Sequence, residues 1–170
     1  QSIRNRFDAA QVLVRNAGVC ALQWFRNQDL LKKEKKGPQD WVSQADREVE
    51  NIIRERLYTL FPEDGFLGEE SGFRDPEAKG IWVVDPIDGT SCFLNGLPSW
   101  CVSIAYVVGC QIEIGLIYAP CTDELFATQR GFGATLNGRM MNPSKATSFN
   151  EGIVGLGYSP KSSIEATQKA

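Results

Sequence analysis

The sequence predicts an α+β fold in which two amphipathic helices precede a largely antiparallel sheet. Apolar residues recur at helical spacing as far as Pro62. Beyond Gly65 the pattern changes to short apolar runs punctuated by glycine and by turn dipeptides. These runs follow one another without a helical pattern between them, which argues for hairpin-connected strands rather than a doubly wound parallel sheet.

Ile3, Phe7, Ala10, Val14, Ala17, Ala21 and Trp24 share one helical face and predict a helix over residues 2–27. The stretch 31–41 mixes lysines with Gly37 and Pro38 and reads as an irregular loop or hairpin, a solvated basic cluster. Ser43 followed by Asp46 resembles a capping box, and Val49, Ile52, Ile53, Leu57 and Leu60 supply the apolar face of a second helix. Pro62 cannot continue that helix and restricts Phe61 before it. Phe66 and Leu67 make a short strand leading into Gly68-Glu69-Glu70. Residues 81–84 contain no polar position, so they read as a strand buried on both faces. Residues 101–108 and 111–118 predict a hairpin around Gly109-Cys110. Residues 123–128 predict another strand, and Asn137-Gly138 signals a tight hairpin turn. Gly131-Phe132-Gly133 is read as a turn, and residues 161–165 as the start of a helix.

The 170 residues suffice for one domain, and 42% hydrophobic with 23% charged residues is a globular composition. A net charge of −3 argues against wholesale binding to nucleic acid. The five cysteines are odd in number and contain no C-x-x-C pair, so a reducing, cytoplasmic setting is expected. No run of residues is long and apolar enough to suggest a membrane span, and no signal peptide is visible, so no membrane partner is expected. The first residue is Gln1, and removal of a natural N-terminus is expected. Histidine is absent, which excludes Ser-His-Asp chemistry, phosphohistidine and histidine-ligated metals from this stretch.

The chemistry concentrates in Trp82-Val83-Val84-Asp85-Pro86-Ile87-Asp88-Gly89-Thr90-Ser91. A strand empties into two carboxylates; Pro86 should stop its ordinary continuation, Gly89 permits a tight backbone, and Thr90 or Ser91 can cap a short helix. Hard oxygen ligands beside the free N–H groups of a helix start suit a divalent cation together with a phosphate. Glu69, Asp85 and Asp88 are therefore the candidate metal ligands, with Glu70 as the alternative to Glu69. Gly89, Thr90 and Ser91 are the candidate phosphate contacts, and Asp88 stands with both groups.

Asp85-Pro86-Ile87-Asp88-Gly89-Thr90, with Gly68-Glu69-Glu70-Ser71 upstream, resembles the signature of the inositol monophosphatase family. The resemblance runs from the first helix to about Asn142 and implies a layered α/β sandwich, two N-terminal helices on a largely antiparallel sheet. It implies Mg²⁺-dependent hydrolysis of a small phosphorylated metabolite, and a homodimer. It chooses Glu69 over Glu70, adds the Ile87 carbonyl to the metal ligands, and makes Glu69, Thr90 and Asp46 catalytic through the attacking water. Lys36 falls near the position of a mobile-loop lysine of the family. Cys92 and Asn95 stand where the family commonly has asparagine and histidine, and residues 96–100 lean towards the histidinol-phosphatase-like branches. A later Trp-Asp motif is lacking. Residues 1–170 are thus expected to be the N-terminal part of one phosphatase domain, inactive without the second half.

Overall fold

The first helix, α1 (Ile3–Arg26), begins where the Ser2 hydroxyl accepts the Asn5 N–H at 3.1 Å. Its buried stripe of Ala10, Leu13, Val14, Ala17 and Ala21 lies against the sheet and α2 (Gln44–Leu60). Small residues dominate that stripe, which lets the helix axis approach its neighbours closely. The computed structural model describes residues 2–30, 33–37 and 40–152. Between the helices, β1 (Lys33–Gly37) and β2 (Asp40–Ser43) form an antiparallel hairpin, so the lysine-rich stretch takes the hairpin alternative. The side chain of Lys36 and the helix expected at residues 161–165 lie outside the described residues.

The remaining strands are β3 (Gly65–Gly68), β4 (Gly72–Arg74), β5 (Gly80–Asp88), β6 (Cys101–Val108), β7 (Gln111–Ala119), β8 (Glu124–Gln129), β9 (Ala134–Leu136) and β10 (Arg139–Met140). They form one eight-stranded sheet in the order β10-β9-β8-β7-β6-β5-β3-β4. Every described pairing in it is antiparallel except β3 with β5, which run parallel with Gly68 opposite Val84. The helices cover one face, where Trp82, Val84, Val102, Ile104, Tyr106, Ile114, Leu116, Leu125 and Ala127 build the core with Ile53 and Leu57 of α2.

Two expectations about β5 are corrected. Trp82 and Val84 are buried, whereas Ile81, Val83 and Asp85 are only half-covered on the other face. All-apolar composition therefore did not mean burial on both faces; the helices lie on one side only of the described sheet. Nor does Pro86 end the strand. The ladder to β6 resumes after it, with Asp85 opposite Ser103 and Asp88 opposite Cys101, so β5 carries one extra residue in a bulge. A bulge accommodates proline because the inserted residue makes no ladder bond, and it re-aims the side chains on either side.

At the opposite end of β5, Asp64 and Arg6 form a buried pair at 2.7 Å. The Asp64 carboxylate also accepts the Trp82 indole N–H and the Tyr106 hydroxyl, each at 3.0 Å. The Arg6 guanidinium stacks over the rings of Phe61 and Tyr106, 5.0 Å from each centroid. This network ties α1, the end of α2, β5 and β6 together around one carboxylate.

Candidate active site

The parallel pairing of β3 with β5 brings the site together. Both strands end at the same edge of the sheet, and the Glu69 N–H donates to the Val84 carbonyl at 3.1 Å. Glu69 and Asp85 are the next residues along their strands, so their side chains emerge side by side within hydrogen-bonding reach. The bulge then turns the chain so that Asp88 is exposed while Ile87 is buried. The Ile87 N–H donates to Asp85 Oδ1 at 3.2 Å, and the Cys101 thiol donates to Asp88 Oδ2 at 3.7 Å.

This crowding has an electrostatic consequence. The Asp85 carboxyl is pushed up to about 8, first by burial, then by its hydrogen bond to Glu69 and the charges of Glu69 and Asp88, with the Ile87 N–H opposing. The charged groups acting on Asp85 are both acids. An oxygen-rich set of this kind is what a hard divalent cation uses, Mg²⁺ binding through carboxylate and carbonyl oxygens while keeping several waters. Among the described residues, no group of three or more Asp, Glu, His and Cys is placed to hold a metal ion as it stands. The donors present are nonetheless of the kind the ion takes, with Glu69 and Asp85 adjacent and Asp88 one bulge away.

The turn after β5 differs from expectation. Neither Thr90 nor Ser91 caps α3 (Thr90–Leu94); the N-cap is Gly89, with φ +90° and no side-chain cap. The Thr90 hydroxyl instead donates to the Ile87 carbonyl at 3.1 Å. A helix of five residues has little macrodipole, so any attraction for an anion rests on the individual N–H groups of its first turn. The helix is held by ring contacts of Phe93 with Phe25 and Trp100, at 5.6 and 4.9 Å, and by the Gln28 amide donating to the Phe93 carbonyl at 3.0 Å. Gly89 is required on two counts, because a Cβ there would meet the Ser99 carbonyl oxygen at 2.8 Å and the backbone is left-handed. Gly89→Ala is expected to cost about 1–3 kcal/mol of stability, read as a lowered melting temperature.

Asp46 lies in the first turn of α2 and is 2% exposed, more deeply placed than a solvent-facing capping acid. One turn on, Glu50 is 1% exposed, and its Oε2 accepts the Glu70 N–H at 2.8 Å. Glu50 was not singled out from the sequence. The available signal was an acid falling on the buried stripe Asp46, Glu50, Ile53, Leu57 of an otherwise amphipathic helix. All five cysteines are free thiols, and Cys92 is half-buried in α3.

Known proteins share this fold. The model of the "Inositol monophosphatase family" matches residues 3–170. An inositol-1-monophosphatase of Rhizobium meliloti is 40% identical over 146 residues, which is 83% of this chain and 53% of the relative. A "Nus factor SuhB" of Xylella fastidiosa is 35% identical over 86% of this chain and 53% of its own length. Among solved structures, the extragenic suppressor protein SuhB of Bartonella henselae superposes with a TM-score of 0.79 at 39% identity, covering 82% of this chain and 54% of that one. The Thermotoga maritima IMPase gives a TM-score of 0.76 at 31% identity, over 83% of this chain and 54% of its own. The chain spans about half the length of the curated relatives it matches. With the family model matched over residues 3–170 and these relatives sharing sequence and fold, this chain belongs to the inositol monophosphatase family.

Proposed function

We propose that the full-length protein is a Mg²⁺-dependent phosphomonoesterase acting on a small phosphorylated metabolite of the inositol monophosphate kind. The observation that carries this reading is the meeting of Glu69 and Asp85 at the ends of two parallel strands, with Asp85 pushed up to about 8 by burial and by neighbouring acids. Glu69, Asp85, the Ile87 carbonyl and Asp88 would hold the ion. Bound there, Mg²⁺ would polarise the phosphoryl group and acidify a water.

The chain's own residues then orient the reaction. The Thr90 hydroxyl proton is engaged by the Ile87 carbonyl, which leaves the Thr90 oxygen as an acceptor for a proton of the attacking water. Glu69, exposed at the edge of the sheet, offers the second acceptor, and Asp46, on the buried stripe of α2, is the third residue proposed for the water site. The first-turn N–H groups beginning at Gly89, Thr90 and Ser91 would receive phosphate oxygens. The water oxygen bonds to phosphorus as the ester P–O bond breaks, with no covalent phosphoenzyme. Hydrolysis in ¹⁸O-labelled water is expected to place label in the released phosphate with inversion at phosphorus; retention would refute direct attack.

Histidinol phosphate and 3′,5′-bisphosphate nucleotides are the alternative substrates, and a panel with inositol 1-phosphate separates the three. A cytoplasmic homodimer is the proposed setting. The second reading is a non-catalytic binding protein, supported by the relatives named Nus factor SuhB, of which one is 35% identical. Metal uptake without turnover of any substrate in the panel would favour it.

A further inference from the structure

We propose that Glu50 is a positioning residue that holds the Glu69 carboxylate in place for the metal; this rests on the phosphatase reading above. Three observations meet at this side chain. Glu50 is 1% exposed although it is an acid in the middle of α2. Its Oε2 accepts the Glu70 N–H at 2.8 Å, the backbone donor immediately after Glu69. Gly68, the residue immediately before Glu69, lies so close that a Cβ there would sit 2.5 Å from the Glu50 carboxyl carbon and Oε2.

Glu69 is therefore fixed on both sides. The Glu69 N–H is held by the Val84 carbonyl of β5, and the next N–H is held by Glu50 of α2. The chain leaves β3 at Gly68 and turns at Glu70, so the Glu50 contact adds a second backbone anchor beside Glu69 to the one that the strand pairing gives. A buried carboxylate accepting a backbone N–H makes a strong, directional bond, and burial keeps water from competing for the donor. A glycine at position 68 is what allows the helix carboxylate to reach the turn at all. Glu50 touches neither substrate nor ion in this arrangement; it acts through the backbone on the residue that does.

The test uses the full-length protein, with Mg²⁺ titration calorimetry and amide hydrogen exchange of Glu70 in metal-free buffer. Glu50→Ala is expected to weaken Mg²⁺ affinity by about tenfold or more, as removal of outer partners of metal ligands generally does. The Glu70 amide is expected to exchange at least about tenfold faster, because its partner is gone. Glu50→Gln keeps an oxygen acceptor and is expected to recover most of both losses, whereas Glu50→Met, of similar volume but without the acceptor, is expected to recover neither; recovery by Met would show a merely space-filling role. Wild-type Mg²⁺ affinity in a folded Glu50→Ala protein overturns the positioning role and leaves the phosphatase reading standing. Absence of Mg²⁺ uptake by the wild-type protein itself overturns both. Should Glu50→Ala fail to fold, Gly68→Ala tests the contact from the other side. Its methyl group must displace the Glu50 carboxylate, so it should reproduce the loss of affinity and the faster exchange; unchanged values there overturn the proposal.

Discussion

Asp85→Asn in the full-length protein is expected to lose at least about a hundredfold in phosphatase activity, because it removes a charge from the ion's ligands while keeping their shape. The same substitution is expected to stabilise the metal-free protein at alkaline pH. The Asp85 carboxyl is pushed up to about 8 from an ordinary value of 3.8, so the folded state binds its proton more tightly than the unfolded chain does. Its contribution to stability is full below the ordinary carboxylate range and is lost as pH rises through about 8. Asparagine carries no such proton. The advantage of the variant over wild type in chelator should therefore be absent below the ordinary value of 3.8, grow between there and about 8, and level off above it. Melting temperatures of both proteins across that range are the measurement, and a constant difference would refute the assignment. Mg²⁺ affinity of the wild type should rise over the same interval, because the ion must displace that proton.

Asp64→Ala should give the largest loss of stability. Asp64 is 4% exposed and accepts from Arg6, Trp82 and Tyr106 at once. The Arg6 guanidinium is held above its ordinary value chiefly by its hydrogen bond to Asp64, against the cost of burial. Without the carboxylate, a buried cation and two aromatic donors are left without this partner. Such a break is expected to cost about 3–5 kcal/mol, seen in urea unfolding of the full-length protein. Arg6→Met combined with Asp64→Leu should recover most of that loss, since replacing both charges with apolar groups removes the buried cation as well. A double variant as unstable as Asp64→Ala would mean that the packing of the aromatic cluster, not the loss of the buried ion pair, decides stability there.

The sequence alone determined the two helices, the change to strands after Gly65 and the ligand-bearing turn, because these are local matters. Helical periodicity in α1, proline at the end of α2 and an Asp-Pro-Ile-Asp-Gly-Thr string are written within a few residues of one another. Site chemistry was legible for the same reason, since Asp85 and Asp88 are neighbours in the chain and carboxylates have a narrow range of uses. The failures lay where local rules compete with partners distant in sequence. Pro86 argued for the end of a strand, but β6 offered a ladder that a bulge could rejoin. Thr90 had the chemistry of an N-cap, but its hydroxyl donates to the Ile87 carbonyl, and Gly89 took the cap.

Only the tertiary structure decided that β3 and β5 run parallel and in register. That single pairing places Glu69 beside Asp85 across the intervening residues, and no periodicity in either segment encodes it. The same holds for Glu50 and Asp64. Each is an acid that sequence rules assign to solvent, and each is buried because donors from other elements converge on it: the Glu70 N–H in one case, and Arg6, Trp82 and Tyr106 in the other. The physical reason is desolvation. A buried carboxylate is costly until its partners are in place, and those partners exist as a set only once the chain has folded.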